Sequence, residues 1–156
     1  MKLPVRSSAG AEATGAPRLD IVVLHTTTAL TCRAMAAANR LSADLHPLTR
    51  IVRLEEVPFP LPLDSPAVTS DCLRRDVEQV ASRSGAHVQI CFCREARLAL
   101  LQLISCRSVV VIATERRWFH FLRRTREERL ARWLRSAGYS VVLEYASRSQ
   151  VNNHAS

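Results

Sequence analysis

Glycine is scarce in this chain, with four among 156 residues, and none falls between Val109 and Ala137. Backbone amides wrap a phosphate only where the chain can take positive φ, which non-glycine residues seldom do. Aromatic residues make up 5% of the chain, too few for a platform that stacks bases. Lys2 is the only lysine, so arginine carries almost all of a net charge of +8. The sequence contains no GxSxG, HExxH, CxxC, Walker A or GxGxxG pattern, which leaves no motif for an enzyme mechanism. No apolar run approaches the roughly 18 residues that span a bilayer. The opening "MKLPVRSSAGAEATGAP" has no continuous apolar core of the secretory kind, so the expected location is cytoplasmic and no membrane partner is expected.

Five cysteines, Cys32, Cys72, Cys91, Cys93 and Cys106, are an odd set without a secretory signal, and read as reduced thiols. Cys91 and Cys93 in "CFC" share one face of a strand and read as packing residues. The histidines lack ligand spacing, so no metal site is expected. The arginine excess favours acidic partners, an acidic protein ahead of nucleic acid.

What is present is an alternation of apolar runs. Residues 1–18 are rich in Ala, Gly, Ser and Pro and read as a disordered lead-in. "LDIVVLH" (Leu19–His25) is a run of β-branched residues typical of a strand buried on both faces. Thr28 is the expected N-cap of a helix with Leu30, Ala34, Ala37, Ala38 and Leu41 on one apolar face. "TRIVRLEEV" reads as the second strand, and "PFPLPLDSP" as a rigid proline connector. Asp64 or Ser65 is placed to cap a second helix, with Pro66 in its first turn and Cys72, Leu73, Val77, Val80 and Ala81 facing inward. "AHVQICFC" is the third strand; "REARLALLQLIS" is a helix that buries Ala96, Ala99, Leu100, Leu103 and Ile104. "RSVVVIA" is the fourth strand. A fourth helix ends near Ser136, with Leu130, Trp133, Leu134 and Ala137 inward, and "YSVVLEYA" is the fifth strand. Residues 147–156 form a polar tail. The alternation specifies an α/β fold over residues 19–146: one doubly wound, five-stranded parallel sheet with helices on both faces.

In such sheets ligands sit beyond the carboxyl ends of the strands, where strand order reverses. The candidate loops follow strands one and four: "HTTTA" and the arginine-crowded "TERRWFHFLRRTREER". The first offers the hydroxyls of Thr26, Thr27 and Thr28. The second offers Thr114 and guanidinium forks from Arg116, Arg117, Arg123, Arg124 and Arg126, which can grip phosphate without a backbone cradle. The opposing expectation is a solvated helix face, in which Arg124 and Arg132 each lie four residues from Glu128. Trp118, Phe119 and Phe121 are expected to anchor the loop.

Strand one with its loop, and the block from "RSVVVIATERRWFHFLRR" through "ERLARWLRSAGYSVVLE", resemble the universal stress protein family over residues 19–146. The latter block is similar to the stress-protein-like domain of potassium-sensor histidine kinases, where an arginine-rich segment also follows strand four. The resemblance implies strand order 3-2-1-4-5 and a homodimer through the last strand. It also implies a regulatory or stress-response role. ATP-binding members carry an Asp after strand one and a G-x-x-G…G-S/T pattern after strand four. Here Thr26 stands at the Asp, Thr114 and Arg117 at the first two glycines, and Glu127 with Glu128 near the final Gly-Ser. The resemblance therefore implies a member that does not bind ATP through a glycine loop and acts through protein contacts. A degenerate site for ATP or another nucleotide, using Thr26 to Thr28, Thr114, Arg116 and Arg117, is the alternative.

Overall fold

The computed structural model describes residues 19–43, 47–63, 70–115 and 124–146. The expected caps at Asp64 and Ser65, and Arg116, Arg117, Trp118, Phe119, Phe121 and Arg123, lie outside the described residues. The chain alternates β1 (Asp20–Leu24), α1 (Thr28–Leu41), β2 (Leu48–Glu56), α2 (Ser70–Ala81), β3 (His87–Cys93), α3 (Ala96–Leu103), β4 (Val109–Glu115), α4 (Arg126–Ser136) and β5 (Ser140–Ala146). The five strands form one sheet in the order β3-β2-β1-β4-β5, and all four pairings are parallel. This is the Rossmann-like architecture expected, with β1 at the centre and the order reversing between β1 and β4.

The period-2 alternation of β1 sorts its side chains between two cores. Ile21 and Val23 pack with Ile51 and Val111 beneath α1 and α2, where Ala34, Ala38, Val77 and Val80 complete a buried cluster. Val22 and Leu24 pack on the other face with Val52, Val110 and Ile112, against Leu100 and Ile104 at α3 and Ala131 and Leu134 of α4. Small residues on α1 let that helix lie close to the sheet. Burial on both faces explains why β1 and β4 read as unbroken apolar runs. The edge strands β3 and β5 are mostly half-buried instead.

Several expected contacts differ in detail. Thr27, not Thr28, caps α1: its hydroxyl accepts from the Leu30 amide at 3.3 Å, and Thr28 is the first helical residue. Leu41, in the last turn of α1, is 45% exposed, because the helix has by then run past the sheet. Cys72 is exposed while Leu73, Val77, Val80 and Ala81 are buried. On α4 the deeply buried pair is Ala131 and Leu134, with Leu130 and Trp133 packed at the margin. Ala137 is the C-cap and is exposed. Gly138, at φ 89°, lets the chain turn from α4 into β5. Cys93 is buried and Cys91 half-buried, and burial pushes both thiols up from their ordinary value. Such thiols are poor nucleophiles, which agrees with a packing role.

At the end of the sheet where the strands begin, Arg50 forks onto both oxygens of Asp20, at 3.2 and 3.0 Å. It also donates to Gln89 Oε1 at 3.1 Å and to the Leu103 carbonyl at 3.2 Å. The Ser108 hydroxyl donates to Asp20 as well. Three strands, the residue that leads into β4 and the end of α3 are thereby joined through one guanidinium and one carboxylate.

Candidate functional site

The carboxyl ends of β1, β2 and β4 open onto a cleft of about 310 Å³, at the lower end of the range for small-molecule pockets. Its floor is apolar, from Leu24, Leu30, Val52, Leu54, Ile112 and Leu130, and its polar lining comes from His25, Thr26, Thr27, Arg53, Glu55, Arg126 and Glu127. Strand order determines this membership: β1 and β4 supply the reversal point, and β2 lies beside β1 and brings its own charged end to the rim.

Each helix that starts here from a described turn is capped from within the chain. Thr27 caps α1, and its carbonyl also accepts from the Thr31 hydroxyl at 2.7 Å. Thr125 and Glu128 form a reciprocal capping box on α4: the Thr125 hydroxyl accepts from the Glu128 amide and the Glu128 carboxylate from the Thr125 amide, both at 3.1 Å. The residue before α3, Glu95, makes no side-chain cap. Glu56 replaces it from the end of β2, accepting from the Ala96 amide at 3.0 Å. Its other oxygen accepts from Arg126 at 3.3 Å. A helix N-terminus attracts an anion because its amides point outward unpaired, and here a carboxylate of the chain already meets that demand at α3.

The charges of the cleft are matched in the same way. Arg53 reaches Asp76 at 3.3 Å and Glu55 at 3.8 Å. Arg126, expected as a phosphate grip, is held by Glu56. Thr114 is fully buried, 2.9 Å from the Thr125 hydroxyl and 3.4 Å from Glu127 Oε2. It braces the start of α4 and is not among the residues that line the cleft. Of the three hydroxyls expected to work together, Thr28 lies exposed on the first turn of α1, Thr27 is used as a cap, and Thr26 enters the cleft.

No family model matches this chain, and no curated protein does. The geometry of the cleft therefore has to speak for itself. Among the described residues, two buried side-chain atoms have no hydrogen-bond partner: His25 Nε2 and Thr26 Oγ1. Both residues line the cleft. The His25 imidazole is held below its ordinary pKa, first by burial and next by the Arg53 guanidinium, while Asp76 and a hydrogen bond to its own backbone act the other way. It is neutral at pH 7.

Sequence reasoning placed the site between two loops and missed β2. Arg53, Glu55 and Glu56 all come from "RLEEV", whose mixed charges at the end of an otherwise apolar strand were the available signal. They join the site only because β2 neighbours β1.

A second feature lies beside the cleft. The proline connector turns back on itself, with the Leu61 amide donating to the Pro58 carbonyl at 3.0 Å. Arg94 donates to the carbonyls of Val57, Pro58 and Leu61 and lies 5.8 Å from the Phe59 ring centre. The loop is held in place while Phe59 stays 87% exposed.

Proposed function

We propose that this chain is a universal-stress-protein-like regulatory module, without enzymatic activity, that works through protein contacts and does not bind ATP through a phosphate loop. The observation that carries the reading is the capping of α1, α3 and α4 by Thr27, Glu56 and the Thr125–Glu128 box, with Glu127 beside them in the cleft. A triphosphate entering here would have to displace a carboxylate and approach another. The strand order that the family resemblance implies is also the order of this sheet. The partners proposed are a second copy, paired through β5, and an acidic protein attracted by the net positive charge. Two bonds from Arg135 to the Val141 carbonyl, at 3.3 and 3.0 Å, already occupy the start of that strand. A dimer through β5 must use the strand beyond Val141 or displace Arg135.

Thermal unfolding with ATP, ADP and cyclic nucleotides tests the reading. A ligand at a hundredfold over its dissociation constant stabilises by about 2.7 kcal/mol, a shift easily read. The expected result is no shift at millimolar nucleotide; a clear shift with ATP overturns the proposal. The second reading is a nucleotide or anion sensor working through the arginine-rich segment after β4, with Thr26 and Arg126 at the cleft, and the same scan decides it.

A further inference from the structure

Carboxylates outnumber guanidiniums in and beside the cleft, with Glu55, Glu56, Glu127 and Asp76 against Arg53 and Arg126. Arg53 faces Asp76 at 3.3 Å and Glu55 at 3.8 Å, and Arg126 faces Glu56 at 3.3 Å, while Glu127 also lines the cleft. Its acceptors are under-used. Glu55 meets Arg53 only at 3.8 Å, and Glu127 accepts one long bond, 3.4 Å from Thr114. Thr26 Oγ1 and His25 Nε2 have no partner at all. A phosphate or carboxylate ligand adds negative charge beside these carboxylates, whereas an N–H group brings a donor that they and the Thr26 hydroxyl can accept. Beneath them lies an apolar floor of Leu24, Leu30, Val52 and Ile112, in a space of about 310 Å³, room for one ring or a short alkyl chain.

We infer that the cleft binds a small organic amine, its apolar body on the floor formed by β1, β2 and β4 and its N–H groups turned toward Glu127, Glu55, Thr26 and His25. The inference rests on the reading that the cleft rejects polyanions, and names what it accepts instead. The unpartnered atoms of His25 and Thr26 are closed off from solvent, so reaching the ligand requires each side chain to rotate toward the cleft it already lines. The incentive is the penalty that a buried unsatisfied polar group carries. Neutral His25 suits the role of acceptor, since a protonated ring would have none to offer.

The test uses three probes of one size and different charge, benzylamine, benzyl alcohol and benzoate, with the full-length chain. The readouts are the ring resonances of His25, assigned with a His25→Gln variant, and the thermal midpoint. Benzylamine at millimolar concentration is expected to shift the His25 resonances and raise the midpoint, benzyl alcohol to do so less, and benzoate not at all. Glu127→Gln should weaken benzylamine by roughly two- to fivefold, the worth of one partly solvated ion pair. Glu55→Gln serves as the second variant if Glu127→Gln unfolds. Binding of benzoate as tightly as benzylamine, or no response of His25 to any probe, overturns the inference. A response to ATP in the same assay overturns the prior reading of the cleft, so the two failures are told apart.

Discussion

Where the strands begin, Asp20, Arg50, Gln89 and Ser108 hold one another in a closed network, and Arg50 reaches on to the backbone at Leu103. Where they finish, His25 and Thr26 are left with unpartnered buried atoms beside a cleft. The same sheet thus carries polar chemistry that is satisfied at one end and open at the other. Buried polar groups without partners are disfavoured unless something else requires them. The contrast separates an end that holds the fold together from an end kept available, and it places the candidate site without appeal to any relative.

The comparison can be broken most directly at the satisfied end. Asp20→Ala strands the Arg50 guanidinium among half-buried neighbours, both side chains being less than a quarter exposed. The expected loss is about 2–3 kcal/mol, read by chemical denaturation. A loss below 0.5 kcal/mol, roughly the worth of a solvated surface pair, would show that the network contributes little. Next in size is Thr125→Ala, which removes half of the capping box on α4 and should lower stability by about 1 kcal/mol. An unchanged midpoint would mean that the box is not what begins the helix.

The open end should respond in the opposite sense. His25 has a folded-state pKa below its ordinary value, so the unfolded chain takes up the proton more readily than the native one. The associated stability is fully present above about pH 6.5, the ordinary histidine value, and is lost as pH falls toward the folded-state pKa. The slope between neutral pH and that lower value should flatten in His25→Gln, as followed by thermal melts across pH. A slope that persists in the variant assigns the effect to another group. Smallest of all is Thr26→Val, which exchanges an unpartnered hydroxyl for a methyl group of the same shape. It should leave stability unchanged or raise it by a few tenths of a kcal/mol, near the favourable limit of such exchanges. A loss above about 1 kcal/mol, the usual worth of a hydrogen bond, would reveal a partner for Oγ1.

The core was legible because β1 and β4 are buried on both faces and leave no polar gap in their sequence. The faces of α1 and α2 were legible from the spacing of Ala34, Ala38, Val77 and Val80. The errors fall where an element outruns the sheet or hands a task to a neighbour. Leu41 and Ala137 continue a helical period past the point where there is anything left to cover. Thr28 was one residue off because three consecutive threonines offer the same side chain to the same task, and only backbone geometry picks Thr27. The site was half legible. Thr26 and Arg126 were named, whereas Glu56 acts on residues 40 and 70 positions away, a relation that no local pattern carries.

Glu56 has a consequence for how this end of the molecule is held. Its two oxygens hold the first amide of α3 and an arginine in the first turn of α4, although it belongs to neither helix. One carboxylate on a strand end thus serves two helix starts, and Glu56→Ala would release both contacts at once.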